Sequence, residues 1–83
     1  MYRILILRKA IKDIDDLPKE YARLIAEHID RLRENPRPLD VKKLRKAGGY
    51  SLRVGVYRIL YDIDDDTLIV TIYRVKHRRE AYR

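Results

Sequence analysis

The chain contains no cysteine. Disulfides and thiolate metal ligands are therefore excluded, and an intracellular, cytoplasmic setting is expected. No apolar run approaches the length of a membrane span. The opening Met1-Tyr2-Arg3, followed by Ile4 to Leu7, is too short and wrongly flanked for a signal peptide. There is no internal repeat and no low-complexity segment. Proline and glycine are scarce, at three each, so the few present mark breaks and turns. Metal-ligand patterns are also missing. His28 has no companion histidine or carboxylate cluster at ligand spacing. Asp64-Asp65-Asp66 reads as a polar turn, because no further acidic cluster completes a hard-cation cage. Neither metal nor cofactor is expected.

What remains is enough for one domain over residues 1–83. The chain is near the lower size limit for a self-sufficient core, but 46% of its residues are hydrophobic. Its formal net charge is +7, and the excess is unevenly placed. Residues 1–41 hold nine Lys and Arg against eight Asp and Glu; residues 42–83 hold eleven against five. Positive charge gathered in one half points toward a polyanionic partner such as nucleic acid.

The cationic half centres on Leu52 to Arg83. Gly55-Val56 suits a two-residue type II′ hairpin turn, with glycine in first place. That turn sets Val54 against Tyr57 and Arg53 against Arg58. The side-chain period of two then puts both arginines on one face. Like charges directly opposed destabilise a hairpin, and a local rule broken in this way marks a candidate site. Two planar guanidiniums side by side suit a phosphate. A second two-residue loop at Asp65-Asp66 would pair Arg58 with Tyr73. Tyr57, Ile59, Tyr61 and Ile63 would then share the core face with Leu68, Val70 and Ile72. A three-residue turn would instead slip the last strand by one. The tail adds Lys76, His77, Arg78, Arg79 and Tyr82.

Upstream, Ile4 to Leu7 is apolar without alternation and reads as an inner strand. Ile11, Ile14 and Leu17 fall at helical spacing over residues 8–17. Pro18 is expected at the first position of a second helix, to Glu34, whose apolar stripe includes Tyr21, Leu24, Ile25, Ile29 and Leu32. Asn35-Pro36 ends it. The two helices are expected as a hairpin across the core face. Val41 to Lys46 reads as a basic loop, in which Lys42, Lys43, Arg45 and Lys46 are candidate contacts to a nucleic-acid backbone. Tyr73 and Tyr82 are the tyrosines placed to stack on bases or donate a proton. Tyr57 and Tyr61 belong to the core.

The order of strand, two helices and basic loop, followed by "LRVGVYRILYDID", "VTIYRV" and "HRREAYR", resembles the RelE/ParE toxin superfamily of bacterial and archaeal toxin–antitoxin systems. The resemblance covers essentially the whole chain. It implies an α+β fold: an antiparallel sheet with an N-terminal two-helix hairpin on one face, in the order β-α-α-β-β-β. RelE-type members are metal-independent, ribosome-dependent endoribonucleases that cut mRNA in the A site. ParE-type members poison DNA gyrase. The expected partners are the ribosome, mRNA and a cognate RelB-like acidic antitoxin that wraps the toxin with an extended, partly helical segment.

Carried onto this sequence, the resemblance assigns catalytic positions to Arg53, Arg58, Arg78 and Tyr82, with His77 a further catalytic candidate and Arg79 a candidate RNA contact. Ser51 departs from the pattern, since some RelE members carry lysine there. The proton acceptor stays open between His77, Lys42, Lys43 and Arg45. RNA cleavage by its own 2′-OH requires such an acceptor, a cation for the developing phosphorane charge and a donor to the leaving 5′-oxygen. Arg58 and Arg78 suit the charge role, and Tyr82 the donor. The alternatives are a ParE-like gyrase inhibitor and an inactive member that binds antitoxin or RNA.

Overall fold

The computed structural model describes residues 1–44 and 48–79. Five strands and two helices follow in the order β1 (Arg3–Ile6), α1 (Arg8–Asp15), α2 (Lys19–Arg31), β2 (Lys42–Lys43), β3 (Tyr50–Val54), β4 (Tyr57–Asp64) and β5 (Ile69–His77). The strands form one sheet in the order β1-β5-β4-β3-β2. Neighbours from β2 to β5 run antiparallel, while β1 is parallel to β5. The α+β fold with two helices on one face is as expected. The sheet is mixed rather than antiparallel, and it gains β2 in the stretch expected to be a basic loop.

Alternation decides which face is buried. Leu52 and Val54 of β3, Ile59 and Tyr61 of β4, and Val70, Ile72 and Val75 of β5 meet Ala10 of α1 and Ile25 and Ile29 of α2 in one core. Each such Leu, Ile or Val side chain contributes about 1.5–3 kcal/mol relative to its exposed state. Pro18 stands one position outside α2, with extended ψ of 145°, and its carbonyl accepts the Ala22 N–H.

β1 corrects the inner-strand expectation. It is an edge strand: Ile4 and Ile6 pack on the core, while Leu5 is 51% exposed. A continuous apolar run suggests two covered faces, but only one is covered here.

The second hairpin also differs from expectation. Its loop is four residues, Asp65 to Leu68, because Asp64 pairs with Ile69. The Asp64 carboxylate accepts the N–H groups of Asp66 (3.0 Å) and Thr67 (3.1 Å). This is an Asx turn rather than half a metal site. Leu68 closes the loop in the left-handed region, with φ of 58°, and lies exposed rather than in the core. A bulge between Leu60 and Tyr61 then leaves Tyr73 without a partner: Leu60 faces Arg74 and Tyr61 faces Ile72. Arg58 is consequently opposite Lys76, not Tyr73.

Long-range polar bonds hold the frame. The buried Tyr61 hydroxyl donates to the Pro36 carbonyl at 2.7 Å. Arg37 forks onto Asp65 at 3.1 and 2.8 Å and lies over the Tyr50 ring, 5.4 Å from its centre. Tyr2 donates to the same carboxylate at 2.6 Å. Arg37, first of these, with Tyr2, draws the Asp65 carboxyl down to about 2.

Candidate nucleic-acid interface

The Gly55-Val56 turn forms as expected, with Arg53 opposite Arg58 and Val54 opposite Tyr57. Gly55 has φ of 62°, and Val56 is not in the positive-φ region, which fits a type II′ turn. Leu52 and Val54 are in the core, so alternation sends Arg53 to the face away from the helices. Ile59 and Tyr61 do the same for Arg58. Lys76 adjoins the buried Val75 and is paired with Arg58. Three neighbouring strands thus present Arg53, Arg58 and Lys76 in one row. Directly opposed residues in such a ladder have Cα atoms about 4.5–5.5 Å apart.

A second row lies beside the first: Lys42, Ser51, Leu60 and Arg74 from β2, β3, β4 and β5. Ser51 is 1% exposed, and its hydroxyl has no hydrogen-bond partner among the described residues. Leaving such a group unsatisfied costs on the order of 1–3 kcal/mol. Lys43 pairs with Tyr50, so alternation turns it from Lys42's side.

Arg74 is matched by a carboxylate. Its Nε and Nη2 donate to the two oxygens of Asp13 at 2.8 and 3.1 Å. The Val75 N–H donates to the same side chain at 2.9 Å. Burial alone would raise the Asp13 carboxyl. The Arg74 and Val75 hydrogen bonds, with the charges of Arg74 and Lys76, outweigh it and hold the group below the usual carboxylate range. Asp13 also occupies the stretch of β5 edge that β1 no longer covers, which shields it from pairing with another chain.

The remaining expected site residues divide. Arg78 and Arg79 are exposed at the end of β5, and the Arg78 N–H donates to the Val56 carbonyl at 2.7 Å. That bond anchors Arg78 at the tip of the β3–β4 hairpin, at the Arg58 end of the face. The structure does not bring His77 there. It pairs with Tyr57 on the helix side, ring centres 5.8 Å apart and nearly perpendicular, and Tyr57 packs edge-on against Tyr21 of α2. Its Nδ1 accepts the Arg79 N–H at 3.3 Å. The period of two separates His77 from its neighbour Lys76.

Tyr73 sits at the bulge, half-buried beside Gly49. Burial, helped by Asp62, raises its phenol. A Cβ at Gly49 would lie 2.7 Å from the Tyr61 carbonyl oxygen, so only glycine fits. Leu7, Gly48, Gly49, Asp62, Thr71 and Tyr73 line a groove of about 320 Å³. Arg45, Lys46 and Tyr82 lie outside the described residues. Among the described residues no three His, Asp or Glu side chains cluster as metal ligands would, and no helix is long and apolar enough to cross a membrane. His28 bonds locally, its Nδ1 lying 2.9 Å from the Leu24 carbonyl.

The sequence reading named Lys76 only as part of the tail, not as the partner of Arg58, and Ser51 only as a departure from the family pattern. A four-residue loop followed by a bulge places Lys76, and neither has a distinct residue signature. Arg58 and Arg53 were legible because a glycine turn fixes their register.

Chain comparisons agree with this architecture. Residues 4–82 match the family model described as the ParE toxin of the type II toxin–antitoxin system parDE. Toxin RelG of Mycobacterium tuberculosis is 40% identical over 87 residues, covering 99% of this chain and 97% of that one. Among solved structures, the RelBE2 toxin–antitoxin complex from M. tuberculosis superposes with a TM-score of 0.82 at 35% identity. That match covers 93% of this chain and 98% of the other. The archaeal RelE–RelB complex of Pyrococcus horikoshii gives 0.84 at 30% identity, over 95% and 97%. With the family model matching nearly the whole chain, and with sequence and fold similar to these toxins, the chain belongs to the RelE/ParE toxin superfamily of type II toxin–antitoxin systems.

Proposed function

We propose that this toxin is a ribosome-dependent endoribonuclease that cleaves mRNA in the A site and so arrests translation in the cytoplasm. The observation that carries this reading is the row of Arg53, Arg58 and Lys76 on the open face of the sheet. In the proposed reaction the 2′-oxygen of one nucleotide attacks the adjacent phosphorus. The P–O5′ bond breaks, leaving a 2′,3′-cyclic phosphate and a free 5′-hydroxyl. The 2′-proton passes to an acceptor, and a donor protonates the departing 5′-oxygen.

Arg58 is assigned to the charge on the non-bridging oxygens, and Arg78 to the same task from the hairpin tip. Tyr82 is assigned as donor by resemblance. Arginine does not give up its proton, so the acceptor comes from elsewhere, Lys42 included. The face turned from the helices meets RNA, and a RelB-like antitoxin covers the toxin when growth is permitted. The named complexes of relatives with RelB support that partner.

Removing one pre-organised charge from such a site costs about 10²–10³ in rate. Arg58→Ala and Tyr82→Phe are therefore expected to relieve growth arrest and slow cleavage of ribosome-bound mRNA, with the fold retained. Wild-type protein that leaves ribosome-bound mRNA intact overturns the reading. The match to the ParE model favours a second reading, gyrase inhibition. That reading predicts no mRNA cleavage by the wild type, and DNA-damage signalling that survives Tyr82→Phe.

A further inference from the structure

We infer that the groove beside Tyr73 is a nucleobase subsite, in which the Asp62 carboxylate selects a base that carries an exocyclic amino group. This rests on the nuclease reading and adds a base-selecting residue to it.

The groove opens on the face that carries the cationic row. Tyr61 and Ile63 pack on the core, and so do Val70 and Ile72. Alternation therefore turns Asp62 and Thr71, which are partners in the β4–β5 ladder, to the opposite face. Asp62 lies four residues along β4 from Arg58. At about 3.3 Å per residue that is about 13 Å, close enough for one short strand of RNA to meet both.

A carboxylate is out of place on a face that meets phosphates, unless it serves another group of the ligand. Asp62 is exposed and forms no ion pair among the described residues. Its Oδ1 accepts the N–H of its own neighbour Ile63 at 3.0 Å, and no described donor reaches Oδ2. An ionised carboxylate only accepts. It therefore takes the amino group of cytosine, adenine or guanine and repels the carbonyl oxygens that flank the N–H of uracil. The adjoining hollow, which shares Leu7 and Tyr73 with the groove, is lined by Arg8 and Lys9, so the repulsion of the RNA backbone by Asp62 is local.

The walls suit a flat ligand. At about 320 Å³ the groove has room for a base. Tyr73 offers a ring on one side. The other side is glycine backbone: Gly49 has no room for a Cβ, and no atom lies within 4 Å of where a Gly48 Cβ would stand. The hydroxyls of Thr71 and Tyr73 form no side-chain hydrogen bond among the described residues and are left for the remaining polar atoms of the base edge. Burial, with the nearby Asp62 charge, keeps the phenol protonated as a donor.

The test compares two short RNAs with 2′-O-methyl riboses, tricytidylate and triuridylate, which bind without being cut. Wild-type protein is expected to favour the cytidine oligomer about tenfold, the order of discrimination of one base-edge pair. Amide resonances of Gly49, Thr71 and Tyr73 should shift as it is added. Asp62→Asn keeps an oxygen for the Ile63 N–H and gains an amide donor, so it should bind both oligomers about equally. Asp66→Asn, which removes the same charge from the hairpin loop, should keep the tenfold ratio. Equal affinities in the wild type overturn the subsite. So do resonance shifts confined to Arg53, Arg58 and Lys76. An Asp62→Asn variant that binds both oligomers more tightly but keeps their ratio shows that Asp62 merely repels phosphate, and overturns its role in selection. If neither oligomer binds the wild type and both the row and the groove stay silent, the nuclease reading fails and the subsite with it, a result distinct from the others.

Discussion

Asp13 shows how one side chain links fold and site. Its carboxylate joins α1 to β5, satisfies a backbone N–H on an open strand edge and matches the charge of Arg74. Its partner is 61 residues away in sequence. Nothing local announces the pairing. The carboxyl is held below its ordinary value of 3.8. A depressed carboxylate contributes stability that is present above the unfolded pKa and lost as pH falls through the folded one. The wild type is therefore expected to lose melting temperature as pH drops below about 4, the ordinary carboxylate range. Asp13→Asn should be less stable than wild type near neutrality, and the gap should narrow on acidification. Thermal melts of both proteins across that range test this. A gap that stays constant with pH would mean that Asp13 acts by packing alone.

Among the elements, the β3–β4 hairpin carries an electrostatic conflict. Arg53 and Arg58 face each other with like charge, an arrangement that costs a few tenths to about 1 kcal/mol relative to a neutral pair. Arg53→Thr is expected to raise the melting temperature by a few degrees while lowering RNA affinity. A destabilised Arg53→Thr would show that the guanidinium, which donates to the Gly55 carbonyl at 3.3 Å, supports the turn more than it strains the ladder. The two hairpins also mark where a sequence stops being legible. A glycine at the first loop position and a period of two fix the first register completely. The second depends on an Asx turn, a left-handed Leu68 and a bulge at Tyr73. Three aspartates and a threonine suit loops of several lengths. β1 fails for another reason: Ile4-Leu5-Ile6-Leu7 has the composition of a strand covered twice, yet the sheet is covered once. The placement of helices, core tyrosine and arginine pair followed from patterns of two and of three to four residues; the third cation depended on a local irregularity.

At the scale of the molecule, the cationic row and the exposed Leu5 belong to different strands of the sheet. The net charge of +7 sits mainly in residues 42–83, and the open face of the sheet displays Arg53, Arg58 and Lys76. At the β1 edge of the same sheet Leu5 is 51% exposed, and Ile11 of α1 is 47% exposed. An antitoxin that silences a cationic site by covering it must offset that charge. Affinity for the cognate antitoxin is therefore expected to fall steeply with added salt, because exposed charges more than about 10 Å apart are largely screened at roughly 0.1 M. The association rate should fall more than the dissociation rate rises, since long-range attraction acts chiefly on encounter. Replacing Arg53 with glutamate should flatten the salt dependence, whereas Leu5→Ser should weaken the complex equally at every salt concentration. Titration of the three toxins with antitoxin at low and high salt separates the contributions. A wild-type complex indifferent to salt, but weakened by Leu5→Ser, would place the main contact on the apolar edge. The antitoxin would then neutralise the toxin without covering the cationic face, leaving that face accessible to RNA in the complex.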